Sequence, residues 1–336
     1  MKRTATIALS VLAVSGLLAA CGGNPSDAGA GGGGGGETED AAAGYPERPI
    51  DYVIAFDAGG ESDITARLQQ EPLQEALDTT VTVSYKPGGG GALAWSELTR
   101  TEPDGYTIMG HNLPHIILQP MMRGDAGYET EDLKQVYIFQ STPNILAVPA
   151  DSEYETLDDF IAAAKESPGA ISVGGSGDYS ANHVGTLLLN DEAGIETTYT
   201  PFSGTGAAVP ALLGGHVDAL MTYTPMVGQL GDQIRVLGVA TEERMEGLDD
   251  LPTFTEQGID LVDGAYRGVA VPQETPDAIV DKLVDTFTEI NEDPDLAAEF
   301  EEQGFVLENM GPEEATEFTA ERKEVYQDLF ERLGLL

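Results

Sequence analysis

One repeated order constrains the fold of this chain more than any other feature: a short apolar run, a loop of small residues, then a helical pattern. IDYVIAF leads into DAGGESD and then into ITARLQQEPLQEAL, in which Ile64, Leu68, Leu73 and Leu77 can share one helix face. The same order recurs in TVTVSYKPGGGGALAWSELTR, ISVGGSGDYSANHVGTLLLNDEAG and TYTPFSGTGAAVPALLGG. Such alternation is typical of βα units, so it predicts an α/β fold with a largely parallel sheet.

The chain from Pro276 to Leu336 has a different pattern, which is mostly helical. Three of its segments begin with a proline followed by an acidic residue, a pair favoured at helix N-termini: PDAIVDKLVDTFTEINED, PDLAAEFEEQG and PEEATEFTAERKEVYQDLFERLG. We expect these helices to pack back onto the sheet that the preceding residues form.

The N-terminal segment has the features of a lipoprotein leader. In residues 1–20, Lys2 and Arg3 precede an apolar run too short for a membrane-spanning helix. The following LLAAC resembles a bacterial lipobox, which predicts that Cys21 is lipidated and that residues 21–44 form a flexible glycine-rich, acidic tether. We therefore expect an extracytoplasmic protein anchored by lipid to the outer face of the cytoplasmic membrane. The alternative is an ordinary secreted protein with a stray cysteine.

The charge of the chain excludes some partners. Asp and Glu number 58 against 16 Lys and Arg, which gives a formal net charge of -42. Such a charge repels nucleic acid and anionic lipid headgroups, so we expect no nucleic-acid partner and membrane contact through the anchor only. An acidic surface suits either a salty habitat or solubility at moderate salt, and composition does not separate the two.

The motifs of several enzyme classes are incomplete here. GGSGD resembles a nucleophile elbow around Ser176, but Asp178 stands where the tight turn needs glycine. Neither a Walker A motif nor G-x-G-x-x-G is present, so nucleotide binding lacks its fingerprint. His111 and His115 are separated by Pro114 and belong to no zinc motif, and Cys21 is the only cysteine. We therefore expect no catalytic residue, no cofactor and no metal site.

Five loops of glycine and small polar residues each follow a predicted strand: DAGGESD, KPGGGG, HNLPH, GGSGDYSANH and FSGTGAA. Each could be an ordinary tight turn, because glycine is common in turns. Since parallel strands share one carboxyl edge, the five loops together predict the floor of a cleft made of backbone N–H groups and helix N-termini. Such a site holds a carboxylate or similar anion without a full cation in the loops.

With these loops in place, the chain resembles the substrate-binding receptors of the tripartite tricarboxylate transporter family. The resemblance rests on YPERPIDYVIAFDAGGESDITARL, KPGGGGALA, EPDGYTIM, GGSGDYSANHVG, FSGTGAAVPALLGGHVDAL and YRGVAVPQETP. These segments follow the order of the family over essentially the whole folded part. The predicted leader and tether also fit such a receptor.

The resemblance implies a two-lobe architecture of the type II periplasmic-binding kind, with a ligand cleft between the lobes. Residues 45–146 plus 266–336 would form lobe one, and residues 147–265 would form lobe two. The implied protein is a monomer without enzymatic activity, which captures a small organic carboxylate and delivers it to the permease subunits of the transporter.

The resemblance also implies which residues bind the ligand. In the family, backbone amides and waters from the first glycine loop and from loops of the second lobe hold one ligand carboxylate. Matching the motifs gives Gly59, Gly60, Asp63, Ser176, Gly177, Ser180, His183, Gly204, Thr205 and Gly206. Asn112, Thr142, Asn144, Thr222 and Tyr266 are added because they follow strands on the cleft side. A purely structural role is the alternative for two of these residues: Asp63 as a helix cap and His183 as a loop brace.

Two departures from the family pattern broaden the expected ligand. Asp57 precedes the first glycine pair, where relatives usually have proline or another uncharged residue, and YKPGGGG replaces an asparagine-containing run. A carboxylate at the mouth of an anion site repels a second ligand carboxylate. The expected ligand is therefore a small mono- or dicarboxylate, with amino acids and aromatic acids included. A sensory receptor for a signalling partner and a secreted hydrolase on a two-lobe fold are the alternative functions.

Overall fold

The computed structural model describes residues 44–336. The predicted signal peptide, Cys21 and nearly all of the predicted tether lie outside the described residues. No helix within residues 44–336 is long and apolar enough to cross a bilayer.

Ten strands form the sheet structure of the described residues. They are β1 (Ile50–Ile54), β2 (Val81–Tyr85), β3 (Thr107–Leu113), β4 (Leu133–Pro149), β5 (Ser172–Gly175), β6 (Thr198–Pro201), β7 (Ala219–Tyr223), β8 (Ile234–Val239), β9 (Gly264–Pro272) and β10 (Val306–Met310).

Within residues 44–336, ten α-helices connect and cover these strands. They are α1 (Glu61–Leu77), α2 (Ala92–Leu98), α3 (His115–Met122), α4 (Leu157–Glu166), α5 (Ala181–Ala193), α6 (Thr205–Leu213), α7 (Pro225–Leu230), α8 (Asp277–Asn291), α9 (Pro294–Glu302) and α10 (Pro312–Arg332). The predicted strand–loop–helix order is therefore present in β1–α1, β2–α2, β5–α5 and β6–α6.

The strands pair in the order β2-β1-β3-β9-β4-β7-β5-β6, with β8 and β10 also pairing with β4. The outer strands are parallel, β1 with β2 and β3, and β5 with β6 and β7. Every pair that includes β4 or β9 is antiparallel. The prediction of a largely parallel sheet thus holds for the two outer groups and is wrong for the centre, where two strands run against the others.

Strand β4 joins the two parallel groups because it changes partner along its length. Its first part, Leu133 to Pro143, pairs with β9. Its second part, Asn144 to Pro149, pairs with β7 and β8. The fold is therefore of the predicted α/β two-lobe type, with one long strand shared between the parallel groups.

Helix α1 shows why the apolar pattern produced this packing. Leu73 and Leu77 are buried, and Ile64 and Leu68 are partly buried, all against the same core cluster as β1 and α8. Leu73 and Leu77 lie on the buried face together with Ala66 and Gln69. Ile64 and Leu68 lie about half a turn around the helix from Leu73, because nine residues make about two and a half turns. The four apolar residues therefore reach one core cluster without sharing the single face that was predicted.

Two segments differ from their sequence predictions. HNLPH was expected to be a loop, but His111 and Asn112 continue β3, which pairs with β9 as far as Leu113. The C-terminal region is mostly helical as predicted, but it also contains β10, which pairs antiparallel with β4. In both cases a long-range strand partner decides the local structure.

Candidate ligand-binding cleft

The loops that follow β1, β2, β5 and β6 open onto one cleft of about 1020 Å³. Their lining residues are 56–60, 87–91, 176–179 and 202–206. The first two loops come from one parallel group of strands and the last two from the other. The cleft therefore lies where the carboxyl ends of both groups face each other, the position at which open α/β sheets bind ligands.

Two helices begin at the cleft without a side-chain cap. Gly60 precedes α1 and Gly204 precedes α6, and neither residue has a side chain that could accept from the first-turn N–H groups. Within residues 44–336, the N–H groups of Thr205 and Gly206 form no backbone hydrogen bond. Unpaired N–H groups at a helix N-terminus favour an anion, because they donate hydrogen bonds and carry the positive end of the helix dipole.

Helix α5 differs, because its N-cap side chain accepts from a first-turn N–H and two of its side chains accept from amides of the preceding loop. The Ser180 hydroxyl accepts from the His183 N–H at 3.2 Å, and His183 Nδ1 accepts from the Tyr179 N–H at 3.1 Å. Burial lowers the pKa of His183, which keeps the imidazole neutral and able to accept that bond. Asn182 Oδ1 accepts from the Ser176 N–H at 3.0 Å. These amides of the fourth loop are therefore already paired within the protein.

The glycine run 88–91 forms part of the cleft wall in a conformation that requires glycine. All four residues have positive φ angles, between 59° and 148°. The side chains of Gln119 and Trp95 approach the run closely enough that a Cβ at Gly90 or Gly91 would collide with them. Arg123 Nη1 donates to the Gly89 carbonyl at 3.3 Å and to Gln119 Oε1 at 3.1 Å, and so brings a guanidinium to the wall.

A buried ion pair lies at the floor of the cleft. Arg267 of β9 donates from Nη2 to Glu61 Oε2 and from Nη1 to Thr142 Oγ1, the latter at 2.6 Å. The side chains are only 6% and 10% exposed, and both residues line the cleft. Burial raises the pKa of the Glu61 carboxyl, and the adjacent guanidinium opposes that shift.

Two more polar side chains complete the floor around this pair. The Tyr223 ring lies 5.9 Å from Arg267 Cζ, and its hydroxyl lies 3.4 Å from Ser176 Oγ. His115 also lines the cleft, and its Nδ1 has no hydrogen-bond partner among the described residues. Burial, helped by the Arg267 charge, lowers the pKa of His115 to about 4, so the imidazole is neutral at neutral pH.

The structure brings eight of the fifteen predicted ligand-binding residues to the cleft wall: Gly59, Gly60, Asn112, Ser176, Gly177, Gly204, Thr205 and Gly206. They come from both parallel groups of strands. The N–H of Gly59 is already paired, since it donates to Asp63 Oδ2 at 2.7 Å. The open positions for a ligand on this side therefore begin at Gly60.

Seven predicted residues lie behind the wall instead: Asp63, Thr142, Asn144, Ser180, His183, Thr222 and Tyr266. Asp63 accepts hydrogen bonds from the Gly59 N–H, Arg67 and Tyr85. These bonds hold the first glycine loop, DAGGESD, against helix α1 and strand β2. The His183 ring stacks on Tyr199 at 4.4 Å while it braces the fourth loop. These contacts fit the structural roles that the sequence left open for these two residues.

Of the other five, Ser180 is the N-cap residue of α5 and four occupy strands. Thr142 accepts from Arg267, and the Tyr266 ring packs edge-on against Phe318 at 4.6 Å. Thr222 is buried in β7, and its hydroxyl has no partner among the described residues.

Asn144 lies at the point where β4 changes partner. Its side chain donates to Asp263 Oδ2 at 3.3 Å and accepts from Asn182 at 3.0 Å, and Asp263 pairs with Arg322 of α10. A continuous polar chain thus runs from the cleft wall at Ser176 through Asn182 and Asn144 to the C-terminal helix.

Sequence reasoning missed both cations of the cleft. It anticipated a site without a full cation, whereas Arg123 and Arg267 both line the wall. The available signal was an arginine inside the apolar strand run YRGVAVP, where a charge needs a partner. That partner, Glu61, is 206 positions away in the chain, so no local pattern identified it. Within residues 44–336, no group of three or more His, Cys, Asp and Glu residues could hold a metal ion.

Comparison with known proteins places the chain in a family. A family model described as the tripartite tricarboxylate transporter family receptor matches residues 65–335. A protein from Cupriavidus necator, named UPF0065 protein in gbd 5'region, is 30% identical over 294 residues, which are 87% of this chain and 89% of that protein.

Solved structures show the same fold. A TctC solute-binding protein from Polaromonas is 28% identical with a TM-score of 0.69, and the match covers 86% of this chain and 99% of that one. The R. palustris protein Rpa4515, solved with adipate, is 25% identical with a TM-score of 0.81, and the match covers 86% and 98%.

The family is one of solute-binding receptors, which confirms the expectation of a binding protein rather than an enzyme. Its members are periplasmic receptors that work with membrane components of a transporter. Because the family model matches most of the sequence and the solved receptors share the fold, this chain belongs to the tripartite tricarboxylate transporter receptor family.

Proposed function

We propose that this protein is an extracytoplasmic receptor that captures a small organic carboxylate and delivers it to the membrane permease subunits of a tripartite tricarboxylate-type transporter. The observation that carries the proposal is the pair of uncapped helix N-termini, α1 and α6, at one cleft. The adipate in the related R. palustris protein supports a carboxylate as the ligand class.

Binding in this proposal involves no covalent chemistry. The N–H groups at the start of α6, including those of Thr205 and Gly206, donate to one ligand carboxylate, and the positive helix end favours its charge. Side chains on the floor, among them Asn112, contact the remaining polar groups of the ligand. The ligand touches both sides of the cleft, so it shifts the population of the receptor toward the closed arrangement of the lobes.

We further propose that the lobes divide close to the predicted boundaries. The partner change of β4 between Pro143 and Asn144, and the start of β9 at Gly264, support boundaries near residues 146 and 265. We also propose that the receptor is a monomer. Light scattering of the purified protein tests this; a dimer at micromolar concentration would contradict it.

The proposed location rests on Cys21 and the lipobox-like LLAAC. Lipidation of Cys21 would hold the receptor on the outer face of the cytoplasmic membrane, with residues 22–44 as a tether. A Cys21→Ser variant should move from the membrane fraction to the soluble extracytoplasmic fraction, whereas the unmodified chain should stay with the membrane. Equal fractionation of the two would contradict the lipid anchor.

A thermal-shift screen tests the receptor function. The full chain is screened against mono-, di- and tricarboxylates, amino acids and sugars, at low and at high salt. A ligand at about one hundred times its dissociation constant stabilises the native state by about 2.7 kcal/mol, which is easily measured as a rise in melting temperature. A hit among the acids supports the proposal. If only sugars raise the melting temperature and no acid does, the result would contradict the proposal.

A further inference from the structure

The carboxylate of Glu61 has one oxygen without a hydrogen-bond partner. Glu61 is the first residue of α1, and its side chain is 10% exposed at the floor of the cleft. Oε2 accepts from Arg267, but Oε1 is buried and unpaired within the described residues. A buried carboxylate oxygen without a donor is costly, so a donor supplied by the ligand would stabilise the bound state.

Most polar groups around Glu61 are paired, and the exceptions on the floor are Arg267 Nε and His115 Nδ1, which have no hydrogen-bond partner among the described residues. Arg267 uses Nη1 for Thr142 and Nη2 for the other oxygen of Glu61. Asn112 Nδ2 donates to Ser62 Oγ at 3.1 Å, so these two groups pair with each other. By distance and angle no described residue donates to Glu61 Oε1. The nearby Thr142 hydroxyl only lowers the pKa of the Glu61 carboxyl, against the rise that burial causes.

The charges on the cleft wall favour a ligand that carries a positive group. Three carboxylates line the cleft, those of Asp57, Glu61 and Asp178, against the two guanidinium groups of Arg123 and Arg267. The neutral imidazole on the floor adds no charge, so the lining has a formal net charge of -1. A second carboxylate on a ligand would add to the repulsion, whereas an ammonium group would reduce it.

We propose that the ligand is an amphoteric acid, a carboxylate that also carries a protonated amine, and that Glu61 Oε1 accepts a hydrogen bond from this ammonium group. The inference rests on the proposed function, because the ligand carboxylate takes the open N–H groups at Thr205 and Gly206. Glu61 then selects amino acids over acids of the same carbon skeleton that lack the amine.

The test compares matched acids on the full chain by calorimetric titration. The common L-amino acids are the first probes, and each that binds is paired with its deaminated counterpart, such as succinate for aspartate or glutarate for glutamate. A charge-assisted hydrogen bond contributes about 1.5–3 kcal/mol, so the amino member should bind about tenfold to a hundredfold more tightly. Glu61→Gln should remove most of this preference, whereas Glu71→Gln, on the exposed side of the same helix, should keep it.

Several results would overturn the proposal. One is that deaminated acids bind the unmodified protein as tightly as the amino acids do. Another is that Glu61→Gln strengthens binding of both series equally, which would make Glu61 a group that the ligand carboxylate displaces from Arg267. If acids bind without any preference for the amine, only this inference fails. If no acid of either series binds, the proposed receptor function fails with it.

Discussion

The sharpest prediction concerns Gly206→Leu, in the first turn of α6. A Cβ at this position meets no atom within 4 Å, and the φ angle of Gly206 is not positive. The larger side chain is therefore accommodated without strain. Replacing a helical glycine by a better helix former stabilises a protein by about 0.5–1 kcal/mol. For a domain of this size, that change raises the melting temperature by about 1–3 °C.

Binding should change in the opposite direction. Gly206 lines the cleft, and the leucine side chain would cover the open N–H groups that are proposed to hold the ligand carboxylate. Loss of one hydrogen bond to a charged group costs about 1.5–3 kcal/mol, so the best acid found by thermal shift should bind about tenfold to a hundredfold more weakly. Calorimetric titration gives the dissociation constant, and thermal unfolding gives the stability.

Gly228→Leu is the matched control. Gly228 lies within α7, has no neighbour within 4 Å of an added Cβ and does not line the cleft. This variant should gain similar stability and keep the affinity of the unmodified protein. A Gly206→Leu protein that is folded, at least as stable as the parent and unchanged in affinity would refute the assignment of the α6 N-terminus as the carboxylate site.

Three further predictions concern stability. Arg267→Met leaves Glu61 as a buried charge without its partner, so urea unfolding should show a loss of about 3–5 kcal/mol; an unchanged midpoint would contradict the buried ion pair. Gly91→Ala places a methyl group against the rigid ring of Trp95, at a residue with a positive φ angle. The free energy of unfolding in urea should fall by about 2–4 kcal/mol, and an unchanged value would contradict the close contact. Burial raises the pKa of Asp263 to about 6 in the folded protein, so its contribution to stability is complete below about pH 4 and is lost as the pH rises through 6. Relative to Asp263→Asn, the unmodified protein should therefore lose on the order of 3 kcal/mol between pH 4 and pH 8, and a constant difference across that range would contradict the raised pKa.

Local sequence patterns predicted most helices and strands because each βα unit carries its own signals. The helix face of Leu73 and Leu77, the apolar run of β1 and the glycine that ends α5 all act within a few residues of each other. These signals do not specify which strands pair. A central strand buried on both faces has the same apolar composition whether its neighbours are parallel or antiparallel, so the direction of β9 and β4 could not be predicted.

The residues of the candidate site also fall into two groups, those that a local motif could predict and those that depend on the tertiary structure. The glycine loops at residues 59–60 and 204–206 were found because their backbone chemistry is local to the motif. Positions chosen only because they follow a strand, such as Thr222 and Tyr266, lie away from the wall, since the side of a strand that faces the cleft depends on its register and twist. Arg267 and Glu61 were missed because their pairing arises only when β9 is placed beside the start of α1.

The uncapped N-termini of α1 and α6 have a consequence for how such a receptor diversifies. Backbone N–H groups are present whatever the side chains are, so the capacity to hold a carboxylate survives most substitutions in the surrounding loops. The side chains on the floor, with Glu61 as the example, can then vary without loss of that capacity. Affinity for the acid group and choice among acids are therefore separately adjustable, and a receptor for a new acid can be obtained by redesigning a few floor positions on an unchanged backbone.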